Sequence, residues 1–179
     1  MSLDDLSLEA LDRYRTAAKI PDAVDSKAFQ VRLLQQGLLK EEGGSLRPTG
    51  FGFLLFGKEP RNSLPQAGLL GTIHLESGEE TRDFDGPLVL IPELVEKWLQ
   101  DKLPNPINRT QMRRRQGVGA IPLELLRESV VNALVHRDYM IAGAKCQLVV
   151  TEDTIRVRSP GGPVAPITLE QLQAFNAPE

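Results

Sequence analysis

Four polar side chains recur at every fourth position of a predicted helix that runs from Pro122 to Arg137. They are Glu124, Glu128, Asn132 and His136, and we call them the polar row. Residues at i and i+4 share one face of an α-helix, so carboxylate, amide and imidazole groups point the same way. The remaining positions predict a buried apolar line made of Leu123, Leu126, Val130 and Leu134, extended by Val131 and Val135. The polar row therefore either faces solvent or lines a site.

Glu128 and Asn132 have the chemistry to serve a magnesium nucleotide. Mg²⁺ prefers oxygen ligands and keeps several waters, so one amide oxygen together with phosphates would suffice to hold it. The carboxylate would then be free to act as the base that orients an attacking water. A structural role fits the same spacing, with Glu128 paired to an arginine, Asn132 tied to a loop and the segment from His136 to Asp138 capping the helix end. The spacing alone leaves both interpretations open.

Composition limits the classes of function. The 179 residues are 41% hydrophobic and 25% charged, which is ordinary for a soluble globular protein. The formal net charge of -3 excludes binding of nucleic acid by bulk charge, although a local basic patch remains compatible with it. No apolar run approaches the roughly 18 residues of a membrane span, and no signal peptide opens the chain. We therefore expect a cytoplasmic protein without a membrane partner.

Cysteine content and two charged runs add further limits. Cys146 is the only cysteine, so a disulfide framework and a cysteine-ligated zinc site are excluded, and its apolar neighbours predict a strand. The segment from Glu76 to Asp85 is strongly acidic, and four arginines cluster at positions 109, 113, 114 and 115. Each run is predicted to be a solvated loop or linker and not a binding surface.

The first part of the chain predicts short helices and a hairpin. A helix from Leu6 to Lys19 is followed by a second, capped by Asp25 or Ser26 and stopped by Gly37. The glycine pair at 43 and 44 then turns a hairpin, and this order is typical of a winged-helix half. Helix 25–36 offers few basic side chains for reading base edges, so a small packing domain is the favoured interpretation.

The middle of the chain predicts an α/β region that ends at a linker. Thr49 caps a short helix whose three phenylalanines, at 51, 53 and 56, should all be buried. A strand covers 68–75, with His74 as a structural residue, and a helix covers 93–102 with Leu94, Trp98 and Leu99 facing inward. Two prolines and four arginines without apolar periodicity then predict a linker at 105–117.

The last part predicts the start of an α/β sandwich. After the helix with the polar row come strands at 145–150 and 154–158, a glycine loop at 159–163 and a helix capped by Thr168. The predicted fold class is therefore α+β. A winged-helix-like start and an α/β middle region occupy 1–104, and the first half of a sandwich occupies 118–179. The leader-like start and the abrupt end predict a piece of a longer protein.

Two stretches resemble a family of bacterial and archaeal transcriptional regulators that are often described as RecG-like ATP-dependent helicases or divergent AAA proteins. The first stretch combines 48–50, 54–60 and 64–67; the second combines 126–139 and 155–162, so the resemblance covers nearly the whole chain. In that family an AlbA-type (Schlafen-like) DNA-binding domain usually precedes this region, and nothing in the chain matches it. The last domain of the family is similar to the GHKL ATPases.

The resemblance implies roles for particular residues. Glu128 would be the catalytic base and Asn132 the magnesium ligand, with ATP and magnesium as cofactors. His136, Ser159, Gly161 and Gly162 would complete the cofactor-binding set. The family pattern Asp-x-Gly-x-Gly meets Ser159 in place of the aspartate and Pro163 in place of the second glycine. The adenine anchor is therefore missing, which indicates a degenerate nucleotide site.

The function predicted from these features is that of a fragment of a DNA-binding transcriptional regulator. Its degenerate GHKL-like part would serve ligand sensing or dimerisation, with DNA as the partner of the full-length protein and association between copies expected, because an incomplete sandwich exposes a sheet edge. The alternative is a helicase-related, ATP-dependent enzyme acting on DNA. No G-x-x-x-x-G-K-[ST] phosphate loop occurs in the chain, which disfavours a helicase.

Overall fold

The structure is a computed structural model that describes residues 1–76, 78–103, 122–151, 154–162, 168 and 170–171. Its helices are α1 (Leu8–Ala17), α2 (Lys27–Gln35), α3 (Gly50–Phe56), α4 (Ile91–Lys102) and α5 (Leu123–Val135). Its strands are β1 (Leu39–Glu42), β2 (Ser45–Pro48), β3 (Leu69–Leu75), β4 (Gly78–Phe84), β5 (Cys146–Val150) and β6 (Ile155–Arg158). The predicted α+β class is confirmed. Among these residues no helix has the length and apolar character needed to cross a bilayer.

Hydroxyl side chains start the first three helices. Ser7, Ser26 and Thr49 each accept a hydrogen bond from the backbone N–H three residues later, which satisfies a donor that has no partner within the helix. Gly37 follows α2 with a φ of 70°, a left-handed conformation that glycine adopts at little cost. The predicted cap at Ser26 and the predicted stop at Gly37 are both confirmed.

The amino-terminal core forms where α1, α2 and α3 meet the β1–β2 hairpin. Phe29, Phe53 and Phe56 are buried in it, but Phe51 is 62% exposed. The prediction that all three phenylalanines of α3 would be buried was therefore wrong. Phe51 lies on the opposite side of this short helix from the line that Gly52, Phe53 and Phe56 present to the core.

A four-stranded sheet with the order β4-β3-β5-β6 organises the rest of the chain. β3 pairs with β5 in parallel, and the two outer pairings are antiparallel. Strands from both predicted parts, 1–104 and 118–179, thus belong to one sheet. The predicted linker at 105–117, with its arginine cluster, lies outside the described residues, as does most of the predicted last helix.

The acidic run is a strand, so the prediction of a solvated loop between Glu76 and Asp85 was wrong. β4 forms the edge of the sheet next to β3, with Phe84 buried and most other side chains exposed. Glu80 accepts hydrogen bonds from Trp98 Nε1 at 2.9 Å and pairs with Lys102 at 2.6 Å. Charged residues are common on an edge strand because they discourage pairing with other chains. They also leave β4 without the alternating hydrophobic pattern by which a strand is predicted from sequence.

Helices α4 and α5 cover one face of the sheet. Trp98, Val95 and Leu99 of α4 and Val130 of α5 share a buried core with Leu69, Ile73, Leu148 and Val150 of the strands. Leu94 is partly exposed, contrary to its predicted place on the inward face. Gly71 lies beneath the Trp98 ring, where an added Cβ would come within 2.8 Å of Cζ3. The packing of both helices on the sheet therefore depends on this one buried core.

The close approach of α3 to the β1–β2 hairpin predicts a sharp difference between two glycines. A Cβ at Gly52 would overlap the backbone carbonyl oxygen of Leu38, whereas one at Gly50 would meet nothing within 4 Å. Gly52→Ala should lower the free energy of unfolding by about 1–3 kcal/mol because the backbone must move. Gly50→Ala, the matched control, should change it little. Equal unfolding midpoints for the two variants in urea would contradict this packing.

Candidate functional site

The polar row lies on the exposed side of α5. Leu126, Val130, Ala133 and Leu134 face the core, and Glu128, Asn132 and His136 are exposed. None of these three side chains has a hydrogen-bond partner among the described residues. Val131 and Val135 were predicted to extend the buried line, but they are exposed, Val135 by 64%. The exposed side of α5 is consequently a mixture of polar and apolar groups.

The glycine loop at 159–162 is attached to the carboxyl-terminal end of the same helix. Ser159 Oγ donates to the carbonyl of Ala133 at 2.7 Å, and the carbonyl of Pro160 accepts from Asp138 N at 2.8 Å. Gly161 has a φ of 138°, and an added Cβ there would come within 3.2 Å of Asp138. The structure thus brings Ser159 and Gly161 to the end of α5, beyond Asn132 along the helix.

The contact made by Ser159 limits what its hydroxyl can do. A hydroxyl has one proton to donate, and that of Ser159 is directed to the Ala133 carbonyl. Carbonyls in the last turn of a helix lack intrahelical partners, so this bond has a clear structural purpose. Ser159 can still accept a hydrogen bond, but it lacks the carboxylate that the resembled family places at this position.

The thiol of Cys146 lies under the same carbonyl. Its Sγ is 3.2 Å from the Ala133 oxygen and 3.9 Å from Ser159 Oγ, and the residue is buried. Burial raises the pKa of the Cys146 thiol, and the hydrogen bond with Ser159 and the charge of Arg137 oppose this only in part. The group is accordingly held as a protonated strand residue, which fits the structural role predicted for it.

Arg137 lies in the segment 136–138 that was predicted to cap the end of the helix, but its side chain binds carbonyls of the following loop and not those of the helix. Its side chain is 4% exposed, and its guanidinium donates to the carbonyls of Asp138 at 2.6 Å, Ile141 at 2.8 Å and Ala144. The guanidinium also lies over the Tyr139 ring, 4.9 Å from its centroid. Its Nε is buried without a partner in the described part of the chain. Arg137 therefore holds the loop after α5 in place through backbone oxygens.

Tyr139 connects this loop to the middle of the chain. Its hydroxyl donates to the Leu134 carbonyl at 2.8 Å, and its own carbonyl accepts from Gln66 Nε2 at 2.7 Å. Burial, and next the nearby thiol of Cys146, raise the pKa of the Tyr139 hydroxyl.

The charge distribution around the site offers little to an isolated metal ion. Among the described residues no group of three histidine, cysteine, aspartate or glutamate side chains could hold one. Glu128 and Asn132 could contribute at most two ligands, so any magnesium here would need oxygen ligands from a nucleotide. The neighbouring basic side chain Arg127 contacts Glu96 of α4 at 3.5 Å and does not pair with Glu128.

Comparison with known proteins shows a fold and no family. No family model and no curated protein matches the chain. It is similar to the crystal structure of the DIP2311 protein from Corynebacterium diphtheriae, with 22% sequence identity and a TM-score of 0.61. The similarity covers 97% of this chain and 33% of the other, so the chain spans about a third of that protein's length.

Removing the guanidinium of Arg137 should destabilise the protein. Arg137→Met keeps an apolar stem but leaves three carbonyl oxygens without their donor, and we expect a loss of about 1–3 kcal/mol in the free energy of unfolding. The exposed Arg156 on β6 provides the matched control, since Arg156→Met should stay within about 0.5 kcal/mol of the wild type. Denaturant unfolding monitored by circular dichroism distinguishes the two. A wild-type midpoint for Arg137→Met would disprove the anchoring role.

Cys146 should be unreactive in the folded protein and should destabilise it at alkaline pH. Burial raises the pKa of the Cys146 thiol, so folding favours its protonated form. The contribution of this thiol to the free energy of unfolding is therefore complete at neutral pH. It declines as pH rises past the ordinary cysteine pKa of about 8.5. A thiol reagent should label the native protein slowly, and labelling should accelerate in urea along the unfolding curve. Cys146→Ala, which removes the sole thiol, supplies the blank and should show a weaker alkaline loss of stability. Rapid labelling without denaturant would contradict the buried position.

Proposed function

We propose that this chain is part of a DNA-binding transcriptional regulator in the cytoplasm. Its α5, β5 and β6 with the glycine loop would form an altered nucleotide-binding-type unit that serves ligand sensing or dimerisation. The observation that carries the proposal is the combination of a solvent-facing Glu128, Asn132 and His136 with a glycine loop whose serine is bound to the same helix. A nucleotide site of the resembled family would combine these groups with an anchoring carboxylate, and this chain has Ser159 at that position.

The engaged Ser159 favours a non-catalytic use of this unit. A residue that recognises adenine needs a free acceptor directed at the base, and an aspartate supplies it in the resembled family. Here the side chain at that position is short, neutral and directed toward the Ala133 carbonyl. Exposure of Val131 and Val135 beside the polar row gives this face an apolar character that suits contact with another surface.

In this proposal DNA contact belongs to another part of the regulator. The family that the sequence resembles carries its DNA-binding domain before this region. The hairpin and α2 of the present chain are poor candidates, because Arg32 pairs with Asp22 at 3.0 Å and Lys40 pairs with Glu42 at 3.1 Å. Basic side chains that are already neutralised release fewer counterions from DNA and contribute less to its binding.

The alternative is an ATP-dependent enzyme that acts on DNA. It is favoured by one observation, the exposed Glu128 one helical turn before an exposed Asn132, which would serve as base and magnesium ligand. Both side chains are accessible to a ligand. The two functions differ in whether phosphate is released.

Titration with magnesium ATP separates them. For the regulator we expect no phosphate release above background from the wild type, and the same background from Glu128→Gln. Glu9→Gln, which changes an exposed acid on α1, controls for the loss of one charge. Turnover that Glu128→Gln abolishes and Glu9→Gln preserves would establish the enzyme and refute the regulator. The assay should use the full-length protein as well as this chain.

Retardation of DNA fragments by the full-length protein tests the other half of the proposal. We expect binding at low salt that weakens as salt rises, because phosphate contacts release counterions. The same titration on this chain alone should show little binding by α2 and the hairpin, because Arg32 and Lys40 are already paired with carboxylates. A full-length protein that retards no fragment at low salt would overturn the assignment as a regulator.

A further inference from the structure

We infer that the exposed side of α5 is a self-association surface on which the same helix of a second copy packs antiparallel, with a two-fold axis near Asn132. This inference rests on the proposed non-catalytic use of α5, and it identifies the partner. The exposed α5 face, as we define it, consists of Glu124, Leu125, Glu128, Val131, Asn132, Val135 and His136.

The first observation is the concentration of apolar surface. Half of the ten large hydrophobic side chains recorded as exposed in the described residues lie between positions 125 and 141. They are Leu125, Val131, Val135, Met140 and Ile141, with Met140 90% exposed. Scattered exposed hydrophobics are normal on a protein surface, but a cluster on one helix and the loop after it indicates an interaction site.

The second observation is the order of acceptor and donor side chains along the helix. Glu128 lies four residues before Asn132 and His136 lies four residues after it. At 1.5 Å per residue the carboxylate and the imidazole are each about 6 Å from Asn132, in opposite directions and on the same face. A two-fold axis through Asn132 therefore places Glu128 of each copy opposite His136 of the other, and the two Asn132 amides meet at the axis.

These two features identify a second copy as the occupant. The face is complementary to itself only in the antiparallel orientation, as a two-fold interface requires. Antiparallel helices also bring the amino-terminal end of one macrodipole beside the carboxyl-terminal end of the other. Val131 and Val135 flank the polar contacts and would be removed from water. One helix and its loop form a small interface, so we expect a dissociation constant on the order of micromolar.

Charge reversal tests the pairing by sedimentation of the full chain. His136→Glu should place two carboxylates opposite each other, and Glu128→Lys should remove the group that accepts a hydrogen bond from the His136 ring, so each should weaken association at least about tenfold. The double variant Glu128→Lys with His136→Glu should restore it. Failure of the double variant to recover, or a wild type that remains monomeric up to about 100 µM, well above a micromolar dissociation constant, would overturn the inference.

A cysteine placed at the proposed axis provides a second test. Asn132→Cys in a Cys146→Ser background should form a disulfide-linked dimer on mild oxidation, because the axis brings two copies of this position together. Arg156→Cys in the same background, on an exposed strand position, should form far less. Equal cross-linking at both positions would contradict the axis. Neither test depends on DNA binding, so a full-length protein that retards no DNA would refute the proposed function and leave the dimer to be judged by these results.

Discussion

The parallel pairing of β3 with β5 is the constraint on which the rest of the structure depends. It joins two segments that are far apart in the sequence into one sheet, and each brings its own antiparallel neighbour, β4 or β6. Parallel strands need a long crossover, and α4 and α5, on either side of the predicted linker, pack on the same face of the sheet. Lys145 also contacts Asp83 at 2.7 Å, which adds an ionic contact between the two segments. Burial acts to raise the pKa of Asp83, but hydrogen bonds from Arg61 and Lys145 outweigh it and leave this pKa below its usual value.

The loop after α5 and the strands β5 and β6 together hold the carboxyl-terminal end of α5 in place. Arg137 binds backbone oxygens of the loop, Tyr139 reaches back to α5, and Ser159 and Cys146 share the Ala133 carbonyl. These contacts attach the carboxyl-terminal end of α5 to the sheet and to the loops beside it. They leave its outer side to solvent, so the groups that could act on a ligand or a partner are separated from the groups that maintain the fold.

Much of the fold was predictable because its signals are local. The caps at Ser26 and Thr49, the stop at Gly37 and the alternation in β6 each follow from a few neighbouring residues. β4 was missed because its charged side chains satisfy the requirements of an edge strand, which a reading of hydrophobic periodicity cannot distinguish from a loop. The parallel pairing of β3 with β5 was beyond local rules, since nothing within either strand specifies a distant neighbour. At the candidate site the exposure of Glu128 and Asn132 follows from their spacing, whereas Val131 and Val135 look like core residues until the sheet is seen to cover only one side of α5.

The long crossover has a consequence for synthesis. The β3–β4 hairpin is complete well before β5 exists, and at roughly 5–20 residues per second the ribosome needs several seconds to make the intervening chain. During that time the edge of β3 that β5 will occupy presents unpaired backbone groups, and the face with Leu69 and Ile73 lacks the cover of α5. We expect the nascent chain to rely on chaperones over this interval, and its aggregation to depend on translation speed between α4 and α5.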